Sequence, residues 1–187
     1  MIHIKRFNSL LLTVLLLLIS QGLWLGLAMK SALAIGNIHI TGLLISEPCT
    51  VLPESANIEV NFGALNDRDL YRLNRIEQPF QINLTDCDNA MAKTISIAFM
   101  GNASSQQTGL LAIDSQSQAS GVSIGIESDG GQLIAINEKN GPTYPIINKD
   151  NTLIFKAFLQ ADPTAISQKT IGLGSFSATA TFLLQYN

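Results

Sequence analysis

The chain is poor in the residues most enzymes depend on. It has one tryptophan (Trp24), two histidines (His3 and His39) and two cysteines in 187 residues, and only 13% of its residues are charged. With His39 the one histidine beyond the N-terminal apolar segment, and no Gly-x-Ser-x-Gly elbow, the usual apparatus of nucleophilic catalysis is missing. No Cys-x-x-Cys spacing exists for a zinc site. Gly121, Gly125 and Gly130 fall in β-like sequence and not before a helix, so they make no phosphate loop. Asp86 and Asp88 flank Cys87 and read as solvated turn residues. His39 reads as the solvent side of a strand, opposite Ile38 and Ile40. These scarcities argue against an enzyme and imply no cofactor and no metal.

What is present begins with an export signal. Lys5 and Arg6 make a positive start, "LLLTVLLLLI" is an apolar core, and Ala32-Leu33-Ala34 is a small-residue cleavage site, so residues 1–34 read as a secretory leader. The rival reading is an uncleaved anchor, since the stretch from Phe7 to Leu27 approaches spanning length. Strand-like sequence directly after Ala34 favours cleavage. The remaining 153 residues suit one domain, and their eight Lys and Arg against fourteen Asp and Glu argue against nucleic-acid binding. In an exported chain the even pair Cys49 and Cys87 favours a disulfide over two buried thiols.

Short β-like runs recur between turn signals: "NIHITGLLI" (37–45), "NIEVNFG" (57–63), "QPFQINL" (78–84), "KTISIAFMG" (93–101), "SGVSIGIES" (120–128), "GQLIAI" (131–136), "NTLIFKAFLQ" (151–160) and a terminal strand. Asp129-Gly130-Gly131 is a hairpin-like turn, and Asn140-Gly141-Pro142 is a break. The polar segment 67–77 holds a turn of helix or a loop, and the Ser/Gln-rich stretch 102–120 an exposed connection with a short strand at Leu110 to Ile113. With no long helical pattern, the expectation is an all-β sandwich of immunoglobulin-like kind.

The ends are the informative parts. In "GSFSATATFLLQYN", Phe176, Ala178, Ala180, Phe182, Leu184 and Tyr186 share one side of a period-two repeat, broken only by Leu183. A long apolar strand in a position that usually frays needs a partner. At the other end Ile38, Ile40, Gly42 and Leu44 also alternate, and "SEPC" (46–49) follows like a hinge, with Pro48 interrupting regular pairing. Sequence neighbours usually pair, so by itself this run reads first as the domain's own strand and second as a strand for another chain.

The chain resembles the pilin subunits of the bacterial chaperone-usher pathway, of the type 1 fimbrial group. The likeness covers an alternating N-terminal extension, Cys49 soon after it, Cys87 closing "INLTDC", then "ISIAFMG", "ASGVSIGI" and "LIFKAFL", and an ending with Gly174 fourteen residues from the end and Tyr186 penultimate. The resemblance implies an incomplete immunoglobulin-like sandwich of six strands whose seventh is supplied in trans by a chaperone or a neighbouring subunit. It assigns residues 35–48 to a donor-strand extension, with Ile38, Ile40, Gly42 and Leu44 as its pattern, and residues 49–187 to the pilin domain. Gly174, Phe176, Ala178, Ala180, Phe182, Leu184, Tyr186 and Asn187 become the wall of an acceptor groove, with Asn187 carrying the carboxylate that a chaperone's basic residues hold. The implied partners are a periplasmic chaperone, an outer-membrane usher and neighbouring pilins. The implied destination is an extracellular fimbrium reached through the periplasm. The short extension and "IHITG" look more like a minor tip adaptor than a major rod pilin. Outside this family the alternative is a sugar-binding sandwich, for which only Tyr71 and Tyr144 offer loop-placed aromatics.

Overall fold

The computed structural model describes residues 38–42 and 47–187; the leader and Leu44 lie outside the described residues. Residues 38–42 belong to a separate N-terminal unit, and Ile38 and Ile40 there are 88% and 86% exposed.

The domain is built from eight strands: β1 (Thr50–Val51), β2 (Ile76–Cys87), β3 (Thr94–Gly101), β4 (Leu111–Ala112), β5 (Val122–Ser128), β6 (Thr143–Pro145), β7 (Lys149–Ala161) and β8 (Ala180–Tyr186). They form two antiparallel sheets, one ordered β1-β2-β7-β5-β4 and the other β6-β3-β8. Five strands of seven to thirteen residues, β2, β3, β5, β7 and β8, carry the sandwich, while β1, β4 and β6 are two or three residues long. The expected all-β, incomplete immunoglobulin-like sandwich is the fold found.

Alternation explains the long strands. In β2, Ile82 and Leu84 are buried while Glu77, Pro79 and Gln81 face outward. Pro79 falls in the half of β2 whose second edge carries no strand, where a missing N–H costs least. A bulge at Asp86, with φ of 53°, turns Cys87 inward to its disulfide with Cys49. Between the sheets Phe155 packs 5.5 Å from both Phe80 and Phe99, centroid to centroid, within a core of Ile82, Leu84, Ile95, Ile97 and Leu159.

Three short helices fill corners: α1 (Pro53–Ala56), α2 (Asp67–Tyr71) and α3 (Pro163–Gln168). Helix α2 lies within the expected polar segment, capped by the Asn66 side chain, which accepts from the Arg68 N–H. Two expected strands are not formed. Residues 131–136 make only a bridge between Leu133 and Glu127, and residues 57–62 form no strand and have no ladder partner among the described residues. The Ser/Gln-rich connection is less exposed than its composition suggests. Ser104 and Gln107 are half-buried: Ser123 bonds to both Ser104 and Asp162, and Gln107 donates to Asp162.

Candidate functional site

Strand β8 lies at the edge of its sheet. One edge pairs with β3 from Ile95↔Tyr186 to Gly101↔Ala180; the other meets no strand. Its inward residues Ala180, Phe182, Leu184 and Tyr186 pack on the core yet remain only half-buried, and so do Phe176 and Ala178 just before it. Leu183, which broke the sequence pattern, simply faces outward. A strand that presents apolar side chains and unpaired backbone along one edge is a pairing template.

Facing it is a second wall that the sequence pattern alone did not single out. After α1 the chain leaves the first sheet, and in residues 57–62 burial alternates, with Ile58, Val60 and Phe62 packed on the core and half-buried between exposed neighbours. No backbone N–H or C=O of residues 57–62 has a protein partner among the described residues. The Phe62 and Phe176 rings lie 6.0 Å apart, and among the described residues no backbone bond joins residues 57–62 to residues 176–186. The signal was already in "NIEVNFG": Ile58, Val60 and Phe62 alternate as faithfully as the terminal strand. A strand's periodicity does not say whether its ladder is filled.

The two ends of this groove differ. At the base, the Tyr186 hydroxyl reaches 3.5 Å from the Cys49 carbonyl, and the Asn187 carbonyl accepts from the N–H groups of Lys93 and Thr94. Burial, reinforced by the negative charge of Glu47, pushes the Tyr186 phenol above its ordinary value. At the far end, beyond Phe176, a cavity of about 560 Å³ opens among Leu65, Leu70, Val122, Leu159, Ile171 and Phe176. Its rim is held by the Ile171 N–H donating to the Tyr71 hydroxyl (3.1 Å) and by paired backbone bonds between Ser120 and Gly172.

Gly174 is the pivot between that rim and the wall. Its φ is 138°, and a Cβ there would lie 2.5 Å from the Gln118 Cβ. Only glycine lets the chain pass without strain from its paired bonds with Ser120, at Gly172, to Ser175, whose carbonyl accepts from the Gln118 and Ala119 N–H groups.

Of the residues predicted for the site, Ala180, Phe182, Leu184 and Tyr186 lie on the inward face of β8 and Phe176 and Ala178 pack on the core just before it, while Gly174 and Asn187, at either end, are exposed. It joins Cys49 to Cys87 at the base. Ile38, Ile40 and Gly42 lie in the N-terminal unit, and Leu44 is outside the described residues.

The described residues form a two-sheet antiparallel sandwich in which the outer edge of β8 and residues 57–62 carry no backbone ladder. The family described as Fimbrial protein matches residues 38–187. The chain is 34% identical over 164 residues to the uncharacterized fimbrial-like protein YfcP of Escherichia coli (strain K12), covering 86% of this chain and 89% of that one. It is likewise 34% identical over 152 residues to the Fimbria A protein of Serratia marcescens, covering 81% and 84%. Its fold matches the P pilus rod subunit PapA with a TM-score of 0.66 at 22% identity, over 75% of this chain and all of that one. The chain belongs to the fimbrial protein family and is a structural subunit of a fimbria, which implies export and assembly outside the cell.

Proposed function

We propose that this subunit polymerises by donor-strand exchange, receiving a strand between residues 57–62 and 176–186 and donating its own extension to a neighbour. The observation that carries the reading is the facing pair of walls, both apolar, half-buried and without a backbone partner on the groove side. An inserted strand would bond both edges and place alternate side chains on the floor. Ile38, Ile40 and Leu44 supply those side chains, and Gly42 lets the backbone approach closely. Three such residues would stabilise the junction by roughly 5–9 kcal/mol, before any contribution from the backbone ladder.

An empty groove is an aggregation hazard, so a chaperone strand would occupy it first, in the periplasm, before an outer-membrane usher exchanges it for a neighbour's extension. The leader spanning residues 1–34 supports that route. The short extension favours a minor tip adaptor over a rod subunit. The role is structural, with no catalysis.

The deciding experiment is thermal unfolding of the chain lacking residues 35–45, alone and with "NIHITGLLISE" fused after Asn187 through a flexible linker. A large rise in midpoint with the fused strand is expected. Cooperative unfolding at the same high temperature without it would mean a self-sufficient sandwich and overturn the reading. Copy number along isolated fibres tests the subunit type: a few copies near one tip fit an adaptor, and a continuous array fits a rod subunit.

A further inference from the structure

The two ends of the domain carry exposed apolar side chains that the groove does not use. At the far end Leu73 is 74% and Leu173 is 71% exposed. They share one corner, because Tyr71 and Ile171, two residues before each, are hydrogen-bonded. Leu73 sits at φ 63°, just past the end of α2, where glycine is at ease and a leucine costs about 1–2 kcal/mol. Neither burial nor backbone geometry accounts for a leucine there. At the base Met91 is 49% and Ile147 is 61% exposed. They too are neighbours, since Asn89 N–H donates to the Asn148 side chain and Ile146 N–H to the Lys93 carbonyl.

We propose that these patches meet head to tail, Leu73 and Leu173 of one copy against Met91 and Ile147 of a second copy whose extension fills the first copy's groove. The inference rests on the strand-exchange reading, and chain length carries it further. Only four residues lie between Leu44 and Cys49, five chain steps, so once Leu44 is seated, the donating domain's Cys49 lies within about 18 Å of the groove's end. Cys49, Met91 and Ile147 belong to the same base: Pro48 C=O accepts from Asp88 N–H, and Cys87 pairs with Lys149. The donating domain therefore brings its base against the acceptor. It leaves at the far end, because the acceptor's own Cys49 carbonyl, 3.5 Å from the Tyr186 hydroxyl, and the Glu47 charge already lie beside Tyr186 at the base. Base then meets the Leu73 corner, and the same contact repeats at every junction, as a heterologous interface requires.

The test uses chains exported from the full gene and carrying two substitutions, Leu73→Cys with Met91→Cys, or Leu173→Cys with Ile147→Cys, oxidised and sized without reducing agent. Binding of the peptide "NIHITGLLISE" to the groove is measured in parallel. The expected result is a ladder of multimers in at least one double variant, with single variants stopping at dimers. Deleting residues 35–45, with the same strand fused after Asn187 to keep the groove filled, should abolish the ladder. Peptide binding without any ladder would overturn the interface and leave strand exchange standing. Loss of peptide binding would remove the strand-exchange reading and this inference with it. A ladder that survives the deletion would mean a contact not guided by the extension and would likewise overturn it.

Discussion

Tyr144 shows how one atom can be misfit in an otherwise satisfied core. Its ring packs edge-on to Phe155 at 6.0 Å, but its buried hydroxyl has no hydrogen-bond partner. Burial, with a smaller push from the charge of Asp129, raises its pKa above 10. The folded state therefore keeps a proton that the unfolded chain gives up. The resulting stability is fully present below pH 10 and is lost as pH rises through the folded value. Tyr144→Phe is expected to leave stability unchanged or raise it by up to about 1 kcal/mol at neutral pH, because an unmet polar group disappears. It should also flatten the alkaline decline in urea midpoints between pH 9 and 11, leaving the part due to Tyr186. Arg75 is the opposite case. It pairs with the buried Glu127 carboxylate and lies 3.5 Å over the Phe158 ring. Arg75→Ala leaves that carboxylate without its cation. About 2 kcal/mol should be lost in denaturant unfolding, less than for a fully buried pair because Arg75 is itself partly exposed.

At the scale of elements, the two groove walls should separate strand binding from folding. Phe62 touches Phe176 across the gap and packs on the core from a segment with no ladder bonds. Phe62→Ala is expected to weaken capture of a donor peptide about 10- to 100-fold, the equivalent of roughly 1.5–3 kcal/mol of lost apolar contact, with a smaller effect on the strand-free domain. Titration of labelled peptide alongside thermal melts would measure both. Gly174→Ala should slow or weaken capture too, since its backbone angle and the nearby Gln118 leave no room for a Cβ. If Phe62→Ala lowered the strand-free melt as much as peptide affinity, the wall would be ordinary core.

For the whole molecule, the disulfide ties the start of the domain to the end of β2, closing a loop of 38 residues that contains α1, the free wall and α2. Cys49→Ser is expected to lower stability by about 2–5 kcal/mol, read as reduced exported yield and melting midpoint. On the proposed strand exchange, a strand fused after Asn187 should restore part of that loss, because it would pair with both walls at once.

The sequence by itself determined much of this protein. Period-two alternation in residues 78–84 and 176–186 marks which face turns inward, because a strand's side chains must alternate whatever it pairs with, whereas β5 alternates in sequence yet is buried on both faces, Ser123 and Glu127 included. The two cysteines of an exported chain pointed to the one bridge that forms, and the terminal pattern with Gly174 and Tyr186 pointed to the family. Ladder occupancy was not legible locally. Residues 57–62 and 180–186 alternate alike, yet the first pairs with nothing and the second pairs along one edge only. The run 131–136 alternates less cleanly and becomes a bridge, while the Asn140-Gly141-Pro142 break leads directly into β6. Only the tertiary structure decided that residues 57–62 and the outer edge of β8 share no backbone bond and that a cavity opens beside Phe176. A hydrogen-bond ladder is a relation between distant segments, and no single segment carries the record of a missing partner.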